Sequence, residues 1–111
     1  VNNNQTEAIK KNKTIEVGDN HTESIGKNKS LDVKDNSSAS IGQNMSIEVG
    51  KNSNEKVGNA YVLEAGDQIT LKTGAASIVM KSNGDITISG NNINIKGSSS
   101  INLKASKISS N

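Results

Sequence analysis

The sequence predicts an all-β fold of short, stacked units, and three observations carry this prediction. Eight residues separate successive members of one apolar series, Val1, Ile9, Val17, Ile25, Val33, Ile41, Val49 and Val57. Asparagine keeps the same spacing from Asn4 to Asn52, and glycine often follows the apolar residue, as at Gly18, Gly26 and Gly42. Eight residues cannot hold a helix and its turn, but they hold one short strand and a Gly/Asn turn. We therefore predict a β-solenoid built on octapeptide repeats.

A sixteen-residue period lies over the octads and predicts which side chains face inward. Blocks of sixteen begin at Thr6, Thr22, Ser38 and Asn54, and each contains one octad with a close apolar pair, such as Ile15 and Val17, and one with a polar or small residue before its apolar residue. Residues i and i+2 share a strand face, so the acidic residues between them face solvent. The predicted structural core is Val17, Ile25, Leu31, Val33, Ile41, Ile47, Val49, Leu63, Ile69 and Leu71.

Three glutamates interrupt this inward-facing pattern. Glu7, Glu23 and Glu55 occupy the slot that holds Ile15, Leu31 or Ile47 in neighbouring octads. If they face the lumen, their carboxylates must take up protons or hold water or a cation, because like charges cannot stay ionised in a dry core. The alternative is a corner position that reaches solvent and Lys residues such as Lys56. The sequence leaves both options open.

The repeat becomes less regular and more apolar after residue 60. Residues 1–60 form the regular octads, and residues 61–111 are a less regular, more apolar continuation of the same β-helix toward the distal end. In this second part the apolar residues come as pairs, such as Ile69 with Leu71 and Ile78 with Met80. One pair-to-pair step is nine residues, which we interpret as a bulge at Gly74-Ala75-Ala76. A start at Val1 instead of Met predicts a fragment of a longer protein.

Composition argues against several functional classes. All 13 basic residues are dispersed lysines and Tyr61 is the one aromatic residue, so the chain lacks a surface for binding nucleic acid. No acidic pair or Ser–base arrangement suggests catalysis, and we expect no enzyme. We expect no cofactor and no metal site, because cysteine is absent and His21 falls in a slot of solvated side chains. The segment has no signal-peptide pattern and no membrane-spanning apolar run.

The small apolar supply favours an assembly of several chains. The sequence has no Phe or Trp, and each octad offers about two apolar residues, too few for a monomer's core. A calcium-binding β-roll requires a Gly- and Asp-rich nonapeptide, and a single-chain left-handed β-helix uses hexapeptides. The remaining architecture is an intertwined homotrimeric triple-stranded β-helix, a β-prism in which two identical partner chains complete the core.

The octads and the stretch GDQITLKTGAASIVMKSNGDITISGNNINIKG, residues 66–97, carry a family resemblance. The octads of the form Ile/Val-Gly-x-Asn resemble the triple-stranded β-helix of contractile phage tail spikes. Residues 66–97 resemble the C-terminal needle of type VI secretion VgrG spike proteins. Some related phage spikes close their tip with iron on a His-x-His motif, which this chain lacks.

The resemblance implies a rigid homotrimeric needle that a contracting sheath drives through a target membrane, with a PAAR-type tip protein or effector at the distal end. It implies assembly in the bacterial cytoplasm followed by injection into a target cell. Lys96, Lys104 and Lys107 follow the last acidic residue and are candidate basic contacts for a partner or for anionic lipid. The alternative is a trimeric phage tail-fibre or adhesin stalk, which acts as a binding or spacer module.

Overall fold

The computed structural model describes residues 3–111, and in that range the chain forms strands and no helix. The strands are β1 (Gln68–Thr73), β2 (Ala76–Lys81) and β3 (Ile86–Ser89). They make one antiparallel sheet in the order β1-β2-β3. The predicted all-β class is therefore confirmed for the described residues. The chain divides into two compact units, Val1–Glu48 and Val49–Asn111, and each is described by itself.

The described part of the first unit is a series of non-helical segments that bend at regular intervals. The bends fall at residues 10–11, 18–19, 26–27, 34–35 and 42–43, and each starts directly after an Ile or Val of the apolar series. Between residues 3 and 48 the chain pairs with no strand of its own and forms no backbone–backbone hydrogen bond. The N–H and C=O groups of these segments are thus available to other chains or to water.

The asparagine that follows each bend does not take the backbone conformation that the sequence suggested. The recurrence of Asn in this slot suggests left-handed turns, because Asn tolerates that backbone conformation and bonds its own backbone. Among the described residues, however, only Gly74 and Gly84 have a positive φ. The left-handed explanation is therefore wrong for the asparagines of the octads, since the bends are made with ordinary negative φ angles.

In the second unit the chain bends at residues 50–51, 58–59 and 66–67 and then enters the sheet. β1 and β2 are joined by a two-residue turn, Gly74-Ala75, because Thr73 pairs with Ala76. Gly74 has a φ of 53° and Ala75 has no positive φ, as in a type II′ hairpin turn, which places glycine at its first central position. The predicted bulge at this site is wrong, because the extra residue allows the chain to reverse instead of disturbing one strand.

The loop between β2 and β3 is closed by its own hydrogen bonds. The Gly84 N–H donates to the Lys81 carbonyl at 3.0 Å, and the Asp85 N–H donates to Asn83 Oδ1 at 3.0 Å. Gly84 has a φ of 97°, a conformation that glycine adopts without steric cost. These contacts hold β3 in register beside β2. None of the described residues belongs to a helix long and apolar enough to span a bilayer.

Candidate assembly interface

The three-stranded sheet has one face made almost entirely of apolar side chains. Ile69 lies opposite Met80, and Leu71 lies opposite Ile78. Ile78 in turn lies opposite Ile88, and Met80 lies opposite Ile86. Because residues i and i+2 of a strand share a face, these side chains all project to the same side. We call this set the apolar sheet face: Ile69, Leu71, Ile78, Met80, Ile86 and Ile88.

The opposite face of the same sheet is mainly polar. Thr70 pairs with Val79, which pairs with Thr87, and Gln68 pairs with Lys81. The Gln68 side-chain amide donates to Thr70 Oγ1 at 2.9 Å along β1. The polar face satisfies its own groups or meets water, whereas the apolar sheet face requires a cover.

The apolar sheet face borders an open trough. This trough has a volume of about 680 Å³ and is lined by Leu71, Ile78, Ile88 and Ile93, with Asn92 and Asn94 among its polar lining residues. Leu71 is 54% exposed and Ile88 is 58% exposed. A contiguous apolar surface of this kind marks an interaction site. Its aliphatic lining fits side chains of the same type.

Exposure of apolar side chains extends through both units. None of the residues from 3 to 111 is buried within the chain. The chain exposes 12497 Å², whereas a compact folded monomer of this mass exposes about 5,800 Å². The difference, about 6,700 Å², is as large as the area that obligate interfaces bury. The chain therefore has no core of its own, and its apolar residues are available for contacts between chains.

The predicted core residues are among these exposed side chains. Nine of the ten are exposed in the chain, and Ile69 is half-buried. Exposure of the described members of the Val and Ile series is nearly constant, from 44% at Val33 to 50% at Ile9, which reflects a regular local conformation. Whether these side chains meet at an axis stays a prediction, because such an axis requires more than one chain. The predicted division of the chain at residue 60 also stays a prediction.

The three glutamates flagged by the sequence each have a partner six residues later in the same chain. Lys13 Nζ donates to Glu7 Oε2 at 2.8 Å, and Lys29 Nζ lies 2.8 Å from Glu23 Oε1. The Tyr61 hydroxyl donates to Glu55 Oε2 at 3.1 Å. The carboxylates are about half exposed where they pair with lysine, at 48% for Glu7 and 43% for Glu23. The three carboxylates therefore have partners in their own chain, and whether they face a lumen or a corner of the assembly stays a prediction, because that depends on the neighbouring chains.

The partners change the ionisation of two groups. The hydrogen bond from Lys29 and its positive charge, followed by the nearby His21 side chain, hold the pKa of Glu23 below its ordinary value. His21 Nε2 lies 3.6 Å from Glu23 Oε2. The hydrogen bond to the Glu55 carboxylate raises the pKa of the Tyr61 hydroxyl, since a phenolate there would face a like charge.

Sequence reasoning missed the identity of these partners. It named Lys56 as an example, but the observed partners are Lys13, Lys29 and Tyr61. The sixteen-residue period contained the signal, because those positions recur in step with Glu7, Glu23 and Glu55. The basic candidates Lys96, Lys104 and Lys107 are exposed. Among the described residues no group of three or more His, Cys, Asp or Glu side chains is placed to hold a metal ion.

A chain that leaves its apolar residues to other chains is typical of an obligate oligomer, and the comparison with known families agrees. A model of the bacteriophage T4 gp5 C-terminal trimerisation domain matches residues 1–79. The chain belongs to this family. The gp5 trimerisation domain is the β-helical needle of the gp5 and VgrG spike family, so the predicted resemblance to a VgrG-like needle is confirmed. No curated protein matches the chain.

The family match also defines which part of the sheet belongs to the trimerisation domain. It covers β1 and ends at residue 79, inside β2, so β3 and the residues after it lie beyond the match. The domain is a structural component of a spike and not an enzymatic one. Membership supports homotrimeric assembly of this chain.

Proposed function

We propose that this chain is the membrane-puncturing needle of a contractile injection spike of the type VI secretion class. The observation that carries the proposal is the absence of any buried residue between positions 3 and 111 in a chain of the gp5 trimerisation family. Three copies wind into a triple-stranded β-helix and bury their Ile, Val and Leu side chains together. The needle acts mechanically, by transmitting the thrust of a contracting sheath.

The backbone of the first unit supports this assembly. Residues 3–48 form no backbone–backbone hydrogen bonds within the chain, yet they run between bends spaced by eight residues. In the proposed trimer these segments pair with strands of the neighbouring chains. Interchain ladders then satisfy the backbone groups and stiffen the shaft along its whole length.

The distal partners form a second part of the proposal. A PAAR-type tip protein or an effector sits at the distal end, and the needle meets the target membrane only in passing. Lys96, Lys104 and Lys107 supply positive charge toward that end, because no acidic residue follows Asp85. The spike assembles in the bacterial cytoplasm and is injected into the target cell.

The bacteriophage origin of the family model favours one alternative, a trimeric phage tail-fibre or adhesin stalk. Such a stalk is a binding or spacer module, and it contacts a cell surface without a contraction event. Both functions require the trimer. They differ in that the needle reaches the target cell only when the sheath contracts, whereas the stalk binds the cell surface without contraction.

Two measurements together distinguish the needle from the stalk: binding of the isolated trimer to cells, and delivery by a bacterium that lacks this segment. Fluorescently labelled trimer is incubated with candidate target cells, and in parallel the codons for residues 1–111 are deleted in the producing bacterium. The needle predicts no saturable binding by the isolated trimer and loss of delivery in the deletion strain, with sheath assembly retained. Saturable binding by the isolated trimer, with delivery intact in the deletion strain, would overturn the needle in favour of the stalk.

A further inference from the structure

A trimer of octapeptide repeats faces a register problem. The apolar series and the asparagine series both recur every eight residues. If one chain slides by one octad against the others, every apolar residue again meets an apolar residue. Repetitive strands specify register weakly unless some feature breaks the repeat. The eight-residue pattern by itself therefore permits slipped trimers.

The side-chain pairs observed in the structure break this repeat. Glu7 binds Lys13, Glu23 binds Lys29, and Glu55 binds Tyr61, so such a pair occurs only in alternate octads. Three of the other octads carry a bulky aliphatic residue in the glutamate slot, namely Ile15, Leu31 and Ile47. His21 follows Ile15 six residues later, and serine follows Leu31 and Ile47 at the same distance. Lysine or tyrosine thus occupies the partner slot only where glutamate occupies the first slot.

We infer that this alternation of carboxylate pairs and aliphatic octads is a register device that aligns three copies of this chain without a slip. The inference rests on the proposed homotrimer. In the aligned trimer each level holds three equivalent octads, either three paired glutamates or three aliphatic side chains. After a slip of one octad, the three octads at the same height along the needle are no longer equivalent, and paired glutamates lie beside aliphatic side chains.

Mixed levels are unfavourable for a physical reason. A glutamate held by its own Lys at 2.8 Å keeps both groups partly hydrated at the corner of the chain. A neighbouring Leu or Ile at the same level removes that water without offering a hydrogen bond, and it loses its own apolar neighbours. Aligned chains avoid both penalties. Mismatches that destabilise the slipped registers are a known means of specifying one assembly over its alternatives.

The third block distinguishes a slip of two octads. Ala39 and Met45 stand where the other blocks carry glutamate and its hydrogen-bonding partner. A slip of sixteen residues would therefore place Met45 beside Lys29 or Tyr61 of another chain. The intrachain pair persists after such a slip, but its neighbours at that level are then Ala39 and Met45, whose side chains offer at most a weak hydrogen-bond acceptor. One unlike block among four makes the aligned arrangement unique.

The register can be measured with spin labels because the chain has no native cysteine. Ser38→Cys places one label per chain at an exposed site, and pulsed electron resonance reads the distances between labels. An aligned trimer with threefold symmetry gives one interspin distance, whereas slipped trimers add others. In the test variant the alternation is removed by Glu7→Ile, Lys13→Ser, Glu23→Leu, Lys29→Ser, Ala39→Ile, Met45→Ser, Glu55→Leu and Tyr61→Ser.

The matched control keeps the alternation and exchanges the charges, with Glu7→Lys, Lys13→Glu, Glu23→Lys and Lys29→Glu. We expect one distance in the unmodified chain and in this control, and loss of the single distance in the test variant. A single unchanged distance in the test variant would overturn the register device. A chain without these substitutions that proves monomeric would overturn the proposed function itself, so the two failures are distinguishable.

A smaller variant keeps the test decisive if eight substitutions prevent folding. Glu7→Ile, Glu23→Leu and Glu55→Leu remove the carboxylate of every pair with three substitutions, and all three side chains are exposed in the chain. We expect a second interspin distance to appear beside the main one. An unchanged distribution in this folded trimer would likewise contradict the inference.

Discussion

The Glu23 carboxylate shows how a local contact sets a chemical property of the chain. Lys29 Nζ lies 2.8 Å from it on one side, and His21 lies 3.6 Å away on the other. The Lys29 contact, followed by the nearby His21, favours the ionised form, so the pKa of Glu23 lies below its ordinary value of 4.5. A lumen position among like charges would have the opposite effect and raise it. The pKa of Glu23 in the assembled protein therefore distinguishes a corner position from a lumen position.

A titration of Glu23 in the assembled protein tests this directly. Because the folded pKa lies below the unfolded value, the Glu23 contribution to stability is present above the unfolded pKa of about 4.5 and is lost as pH falls through the folded pKa. Lys29→Met should return the pKa of Glu23 toward its ordinary value, measured by carbon-13 NMR of the labelled carboxyl group. Lys34→Met, which removes the partner of Asp32, is the control and should leave Glu23 unchanged. A pKa of Glu23 above 4.5 in the assembled protein would show the glutamates in the lumen.

Ile47 and Glu48 are adjacent residues with opposite expected effects on stability. Ile47 is 74% exposed in the chain, so its truncation would cost little in a monomer. In a trimer that buries it, Ile47→Ala should lower the free energy of unfolding by about 2–5 kcal/mol per chain. Glu48→Ala should change it by less than about 0.5 kcal/mol. Denaturant unfolding at fixed chain concentration measures both, and equal effects would mean that the faces are reversed.

At the scale of elements, the hairpin between β1 and β2 depends on one backbone conformation. Gly74 has a φ of 53°, which residues with a side chain adopt at a cost. Gly74→Ala should therefore destabilise the hairpin by about 1–2 kcal/mol per chain, observed as a lower melting temperature. Ala75→Ser, in the same turn but at an ordinary φ, is the control and should change stability by less than about 0.5 kcal/mol. An unchanged melting temperature for Gly74→Ala would show that the assembled protein does not use this turn.

The elements also show where sequence reasoning succeeds and where it stops. The octads predict one short segment and one bend in every eight residues, and bends lie at that spacing between residues 10 and 67. The hairpin at Gly74 was missed because a nine-residue step fits both a bulge and a two-residue turn. Only the pairing of Thr73 with Ala76 separates these alternatives. Such a pairing across a turn leaves no separate mark in the spacing of the apolar residues.

The sequence predicted which apolar residues belong to the candidate interface but not which side chains contact one another. Alternation in the strands gave Ile69 and Leu71 as inward-facing residues, and both belong to the apolar sheet face. The partners of Glu7 and Glu23 were not identified, since a contact over six residues depends on how the backbone bends between them. Which side chains meet across chains is set by the neighbouring copies and lies beyond any single sequence.

At the scale of the whole molecule, the main feature is the large solvent-exposed area of the single chain. The chain exposes 12497 Å², and among residues 3–111 no side chain is buried. Conformational order at every octad costs entropy that so little intrachain burial does not repay. Folding and association are therefore one process for this chain. The stability of the needle should depend on protein concentration, as expected for an obligate oligomer.

The mass of the chain in solution tests this account most directly. Light scattering coupled to size-exclusion chromatography, or native mass spectrometry, should give three times 11.6 kDa, about 35 kDa, with strand and no helix by circular dichroism. The trimer should persist on dilution until the chains unfold. A folded, stable species of 11.6 kDa would contradict the trimer, the shared core and the needle that depends on them.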